Sequence, residues 1–390
     1  MNNLLNCDYM FKKFSLFLLL IILAVISLGT VSAAANNTIQ YSNVNHSQNI
    51  ASTTNSLVIT AVDPKKGSIN VAINKTIKIK FNQPVKFKTG WIVFRKDGKL
   101  TSFYKSINSE TLTIKPVAQM RKGSIYSIVL HTNSISNNNG SGVAYFSTSF
   151  ATAINIDIIN HATGGDITKN TLLYGYIQKT VLSNDIISKA KIGTPIITFG
   201  DGNGPRVLIV AGVHGNELPA PAAAMKLINY LNGKHVHGTV YIIPFAIPYS
   251  IAHKTRYWHG QDPNRIANIA GSPTNIIVNL AKKFRVMALG DFHSSIQGGV
   301  PGKDSALCTM IPMYSSYRIA SYIAKYSGSS LIADKIAGKA YPGALEDVTN
   351  LNRIPAVTCE VLANHNTLSM NRINKSYKQM WGLLKYLGIE

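Results

Sequence analysis

Apolar and polar positions divide the chain into stretches of different character. Lys12 and Lys13 precede an apolar run from Phe14 to about Leu28, and Val31-Ser-Ala-Ala-Ala35 follows in the small-residue pattern that a signal peptidase accepts. Residues 1–35 therefore read as a secretory signal or, left uncleaved, as a membrane anchor. Both readings place the folded part outside the cytoplasm, secreted or at the cell surface. Residues 36–56 are rich in Asn, Ser and Thr with few large apolar side chains, the composition of a disordered spacer. From 57 to 152 short alternating runs such as Ile77-Lys-Ile-Lys-Phe81 and Leu112-Thr-Ile114 are broken by turn signals at Asp63-Pro64, Asp97-Gly98 and Asn139-Gly140. Closely spaced period-two runs with no helical period predict an all-β sandwich.

Residues 153–192 hold a Gly164-Gly165 break and an amphipathic stretch, Ser183 to Lys191, that predicts a short helix leading into a second domain. From Thr194 the pattern becomes α/β. It predicts a strand at Pro195–Phe199, a hairpin turn at Asp201-Gly-Asn-Gly204 and a strand at Arg206–Ala211 apolar enough to be buried on both faces. A helix at Pro219–Leu231, strands at Thr239–Ile243 and Val286–Phe292, a helix at Ser315–Tyr326, a strand at Ala356–Val361 and a helix at Asn374–Leu387 follow. Such alternation implies a mainly parallel, mixed sheet with helices on both faces over 153–390, its site beyond the carboxyl ends of the strands.

Composition adds a surface argument. Across 390 residues, 39 Lys and Arg oppose 17 Asp and Glu, and the net charge of +22 arises mainly from scarcity of acids, since charged residues are only 14% of the chain. An exported basic protein fits an anionic partner such as a cell-wall polymer or a membrane surface. No basic cluster interleaves with aromatics in a nucleic-acid module, so no nucleic acid is expected. Cys308 and Cys359 are the thiols outside the first 35 residues, too few for a disulfide framework or a cysteine zinc cluster, and one bridge or two free buried thiols both remain open. Sequons at Asn36, Asn45, Asn74, Asn139 and Asn374 mark surface positions for glycans where the host attaches them.

The candidate chemistry sits where strands end. Gly212-Val-His214-Gly-Asn-Glu217 sets an imidazole and a carboxylate three residues apart just after the buried strand, and His293 in Asp291-Phe-His-Ser294 ends another apolar strand. Two His and one Glu with an open fourth position make a catalytic zinc set, though His-x-x-Glu alone equally describes a satisfied histidine and a surface acid. Glu360 lies within the apolar strand at Ala356–Val361, where a carboxylate without a role would be a costly buried charge.

Six pieces in order, Gly193-Thr-Pro-Ile196, His214-Gly-Asn-Glu217, Thr255-Arg256, Asp262-Pro-Asn-Arg265, Asp291-Phe-His293 and Thr358-Cys-Glu360, resemble the zinc carboxypeptidases of the carboxypeptidase A type, including the succinylglutamate desuccinylase and aspartoacylase branch. The resemblance runs from about Ser183 to the C-terminus. It implies one zinc ion on His214, Glu217 and His293, with Glu360 as general base and Arg256 polarising the scissile carbonyl. It further implies Asn264 and Arg265 gripping a substrate carboxylate, and Asp262 fixing the tautomer of His214, where a turn-capping Asp is the alternative. Tyr341 matches a tyrosine that covers the substrate. Glu346 aligns with the base of the side-chain pocket, where an acid would favour a basic residue; a solvent-facing loop Glu is the competing reading. His259 reads as a loop histidine. Residues 57–152, through Val62-Asp-Pro64, Phe81-Asn-Gln-Pro84 and Tyr145 to Thr152, resemble the immunoglobulin-like modules of bacterial and archaeal surface proteins.

These features predict an exported zinc hydrolase acting on a peptide or acylated amino acid with a free carboxylate. A carboxypeptidase trimming a cell-wall peptide is the leading form. The short spacing between His214 and His293 leans toward the acylase branch, so an N-acyl amino acid deacylase is the alternative. A wall-binding or adhesive protein with a dead hydrolase fold is the third reading, opposed by the complete set of site residues.

Overall fold

A computed structural model describes residues 56–389. The export segment expected over 1–35 and, but for Ser56, the spacer expected over 36–56 lie outside the described residues.

The first part is a sandwich of short strands: β1 (Ile59–Asp63), β2 (Ile77–Phe81), β3 (Val85–Phe87), β4 (Ile92–Lys96), β5 (Lys99–Leu100), β6 (Phe103–Asn108), β7 (Thr111–Pro116), β8 (Ile125–Leu130), β9 (Ile135–Asn137) and β10 (Phe146–Ala151). Two antiparallel sheets, ordered β1-β2-β7-β6 and β10-β8-β4-β5, face each other, and β3 pairs with β9. Period-two patterning decides the inner faces: Ile77, Ile79 and Phe81 are buried while Lys78 and Lys80 between them are exposed. Phe94, Leu112, Ile114, Ile128, Leu130 and Phe150 complete the core between the sheets.

The second part runs β11 (Asn155–Asn160), α1 (Thr171–Tyr176), α2 (Val181–Ala190), β12 (Thr194–Phe199), β13 (Arg206–Ala211), α3 (Pro219–Leu231), β14 (Thr239–Ile243), α4 (Pro248–Ala252), α5 (Pro273–Phe284), β15 (Ala288–Ser295), β16 (Ser305–Ile311), α6 (Tyr314–Ser327), β17 (Ser330–Ile336), α7 (Leu345–Leu351), β18 (Ala356–Leu362) and α8 (Met370–Tyr386). Its eight strands order as β11-β12-β14-β13-β15-β18-β16-β17. The central run β14, β13, β15, β18 is parallel; β11, β12 and the β18–β16 junction are antiparallel. Side chains on β13 alternate between two cores. Val207 and Ile209 pack toward α2, α3, α6 and α8, and Leu208 and Val210 toward α5 and α7. A strand covered on both faces must be apolar throughout, as Arg206–Ala211 is after its first residue. Among the described residues no helix is long and apolar enough to cross a membrane.

Three local expectations change. Asp201–Gly204 does not close a hairpin, because β12 pairs with β14 and β14 stands between β12 and β13. Asp201 instead caps its own turn, Oδ1 accepting from Asn203 N at 2.8 Å and from Gly238 N at 3.1 Å, which ties the loop to the residue leading into β14. The strand expected at Val286–Phe292 lies at Ala288–Ser295 and so includes His293. The stretch 153–192 supplies more than a helix, since β11 forms the edge of the large sheet. Six further elements had no forecast: α1, α4, α5, β16, β17 and α7.

Candidate active site

Parallel pairing assembles the site. His293 on β15 stands directly across from Glu360 on β18, near the carboxyl ends of both strands. His214 and Glu217 follow β13, the other neighbour of β15, where Gly212 turns the chain at φ +74° and Phe245 and Ile251 would crowd any side chain. Gly215 lies against the backbone of Ser250 and Ile251, so the loop carrying both side chains seats flat on α4.

Both imidazoles turn Nδ1 to Glu217. His214 Nδ1 is 2.7 Å from Oε1 and His293 Nδ1 is 2.8 Å from Oε2, and the three side chains offer ligand atoms all within 4.8 Å of one another. They are buried, and Ser294 N donates to Glu217 Oε2 at 3.0 Å. The far nitrogens meet acids. His214 Nε2 contacts Asp262 Oδ1 at 2.9 Å, and His293 Nε2 stands 2.9 Å from Asp291 Oδ2, although misaligned for a hydrogen bond. Two imidazole nitrogens and a carboxylate, each imidazole backed by an acid, fit a divalent ion of the zinc type; the donor set is N₂O with room for a fourth ligand on the pocket side.

The charges agree with that convergence. Burial alone would raise the Glu217 carboxyl, yet His214 and His293 hold it well below the ordinary range. For His293 burial opposes the charge, and Asp291 and Glu217 outweigh it, lifting the ring well above an ordinary imidazole. Asp262 is likewise held low against its burial, by His214 and Arg256. Asp262 Oδ1 accepts from Asn264 N at 2.9 Å and also meets His214 Nε2 at 2.9 Å.

Arg256 is fixed by acids, Nε and Nη2 donating to Asp262 Oδ2 at 3.1 and 2.9 Å and Nη1 to Glu217 Oε1 at 3.2 Å. Five donors less these three leave two N–H groups for a ligand. Asn264 spends Oδ1 on Leu345 N, and Arg265 lies with its guanidinium 5.6 Å from the Tyr341 ring. Glu360 Oε2 is shielded from solvent and has no hydrogen-bond partner, and burial, then the Glu217 charge, push this carboxyl well above its ordinary range.

A pocket of about 390 Å³ collects His214, Glu217, Arg256, Asn264, Arg265, Tyr341, Glu346 and Glu360 on its walls. Of the expected residues, Asp262 and His293 stand behind this surface, and His259, outside its lining, packs edge to face against Trp258. Glu346 is not the solvent-facing loop acid of the competing reading. It lies in the first turn of α7, 4% exposed, with Oε1 accepting from Thr309 N and Thr309 Oγ1 at 3.1 Å each and from Asn350. Burial and then Asp347 raise its pKa well above that of a free carboxyl.

Residues 203–272, which hold His214, Glu217, Arg256, Asp262, Asn264 and Arg265, match the model of the succinylglutamate desuccinylase/aspartoacylase catalytic domain. Residues 203–272 are thus similar to that catalytic domain, and residues 53–152 match the bacterial Ig-like domain. No curated protein matches the chain significantly. Among solved structures it is similar to a succinylglutamate desuccinylase/aspartoacylase from Rhodobacter sphaeroides (18% identity, TM-score 0.39, 52% of this chain and 62% of that one). It is also similar to the product-bound ectoine utilization protein EutE from Ruegeria pomeroyi (19%, 0.42, 52% and 64%) and to the cell shape determinant protein Csd4 from Helicobacter pylori (14%, 0.42, 51% and 55%). The chain thus spans less than two thirds of the length of each.

Three residues at or beside the site, Asp291, Asp334 and His365, were not singled out from the sequence. Asp291 was legible, because residues two apart on a strand share a face and Asp-x-His sets an acid beside the imidazole. Asp334 comes from β17, a strand with no forecast, and His365 from the loop after β18, with nothing local to mark either. Among the described residues the thiols, Cys308 and Cys359, are free and buried, Cys359 facing the α3/α6/α8 core as strand alternation requires. Burial, with Glu346 and Asp334 nearby, pushes Cys308 up to about 12. Neither thiol is expected to react with an aromatic disulfide reagent at about pH 8 until the chain is unfolded in denaturant; rapid labelling of the native protein would contradict this.

Proposed function

We propose that the chain is an exported zinc hydrolase that splits an amide bond next to a free substrate carboxylate, in its leading form a carboxypeptidase that releases a C-terminal residue with a cationic side chain from a peptide, such as a cell-wall peptide. The observation that carries this reading is the two-signed pocket. Arg256, Asn264 and Arg265 line it together with Asp334 and Glu346, and the His214–Glu217–His293 cluster and Glu360 border the same space.

His214 Nδ1, Glu217 and His293 Nδ1 would hold the ion, which when bound supplies a Lewis-acidic charge beside the scissile carbonyl. The chain's own groups do the rest. Arg265 and Asn264 hold the carboxylate, which fixes the amide against Glu360. Glu360 takes a proton from the attacking water and delivers it to the leaving nitrogen. The two free N–H groups of Arg256 stabilise negative charge as it develops on the carbonyl oxygen. Tyr341, over Arg265, covers the bound residue, and Glu346 meets its cationic end. An export segment at 1–35, an attachment module at 57–152 and a catalytic domain at 153–390 complete the proposed organisation, with the basic surface holding the enzyme near an anionic wall polymer or membrane.

The match over 203–272 favours a second reading, an N-acyl amino acid deacylase using the same groups. Incubation with short peptides, wall fragments and acyl amino acids, with products read by mass spectrometry, separates the two by whether the released amino acid came from a peptide or from an acyl cap. Turnover that survives a strong chelator sinks both.

Glu346 offers a sharper check. Its folded pKa lies above the unfolded value of roughly 4.3, so the stability it contributes is present below that pH and is lost as pH rises toward the folded value. Glu346→Gln should therefore melt higher than the parent at about pH 8 and not at about pH 4, and should erase a preference for C-terminal Lys over Leu. An unchanged ratio of kcat/KM for the two peptides would remove the cationic-pocket assignment.

A further inference from the structure

The sandwich carries an aromatic row that its own folding does not use. In the sheet β10-β8-β4-β5, Phe146, Leu130 and Ile92 align across three strands and point inward, so the next residues along, Tyr145, His131 and Trp91, align on the outer face. The ladder extends to them, His131 N donating to Trp91 O at 3.1 Å. Their rings meet edge to face, Trp91 to His131 at 5.4 Å and His131 to Tyr145 at 5.9 Å between centroids. Yet Trp91 remains 69% exposed and Tyr145 61%. Cross-strand stacking alone explains a row of rings but not why two of the largest are left in water.

Register continues the same face. Val93, Val129 and Ser147 come next, then Arg95, Ser127 and Ser149. The face thus runs from rings, past small side chains and hydroxyls, to a guanidinium. The acids between residues 57 and 152 are Asp63, Asp97 and Glu110, none of them in these rows, against a large excess of Lys and Arg. Asp63 and Glu110 pair with Lys75 and Lys80, so the field over the sandwich is positive.

We propose that this strip binds an acidic polysaccharide, its sugar rings stacking on Trp91 and Tyr145, its hydroxyls meeting Ser147, Ser149 and Ser127, and its carboxylates meeting Arg95. A sugar presents apolar C–H faces and polar edges, which matches flat rings set among hydroxyls; a protein partner would call for a contiguous apolar core, and a bilayer for protruding aliphatic side chains. This deepens the attachment reading, which rests on charge alone, and is independent of what the pocket cuts.

The test is affinity electrophoresis of the whole protein through gels containing alginate, with dextran as the neutral control and phosphatidylglycerol vesicles in a parallel sedimentation assay. Retardation by alginate and not by dextran is expected, with about tenfold weaker binding for Trp91→Ala and for Tyr145→Ala. Ser147→Glu, which keeps every ring and sets an acid in the strip, is expected to weaken it equally, and the melting point of each variant reports that the fold is intact. Alginate binding that is the same in all three variants overturns the platform and leaves attachment by diffuse charge. Binding to vesicles but not to alginate overturns it in favour of a lipid surface, and binding to neither sinks the attachment reading as well.

Discussion

Glu360→Gln is expected to leave a folded protein that keeps its metal ion and hydrolyses its substrate about a thousandfold more slowly or worse. Glutamine preserves the shape and one acceptor oxygen of Glu360 but cannot take up a proton. The residue stands across the ladder from His293 and is outside the three-residue cluster, so the donors remain as they are. Stability should not fall either. The folded pKa of Glu360 is raised, so whatever stability the carboxyl contributes on the acid side has been lost as pH rises, and a neutral replacement removes a buried charge whose Oε2 has no partner. Three measurements on one preparation decide the matter: kcat, metal per chain by elemental analysis, and the unfolding midpoint. Unaltered turnover with a full metal complement would exclude Glu360 as the base.

Glu217→Ala should abolish both metal retention and activity. Its two carboxylate oxygens separately engage His214 and His293, and Oε1 also accepts from Arg256 and Oε2 from Ser294 N. Without Glu217 the pocket keeps two imidazoles, each backed by an acid, and loses the group that draws them together. Breaking a buried ion-paired network by removing one partner costs about 3–5 kcal/mol, so the variant should also melt well below the metal-free parent. Dialysed parent protein should carry one zinc ion per chain and melt higher when zinc is added, whereas the variant should carry almost none and show no zinc-dependent rise. A variant that retains stoichiometric zinc would move the metal elsewhere.

Much of this site was legible because its parts are local in the chain. His214 and Glu217 share one turn after a strand recognisable by its unbroken apolar run, and Asp262, Asn264 and Arg265 share another. Glu360 stands out as an acid in an apolar strand, and strand alternation correctly sends Cys359 to the opposite face. What joins these pieces is not local. That His293 and Glu360 face each other depends on β15 choosing β18 as its parallel neighbour, and the Asp201–Gly204 turn shows how a correct turn signal can imply the wrong neighbour.

The chain alone therefore determined the kinds of element and the chemistry available to them: alternating strands for the sandwich, an α/β pattern for the catalytic domain, and two histidines with acids at strand ends. The three-dimensional packing decided which charges share a space. It added Asp334 from an unforeseen strand to the pocket, and it buried Glu346 beside Thr309 and Asn350 where local pattern allowed an exposed loop. The reason is one of range. Periodicity and turn chemistry act over a few residues, whereas burial, strand neighbours and the pKa shifts that follow from them are set by elements far apart in the chain.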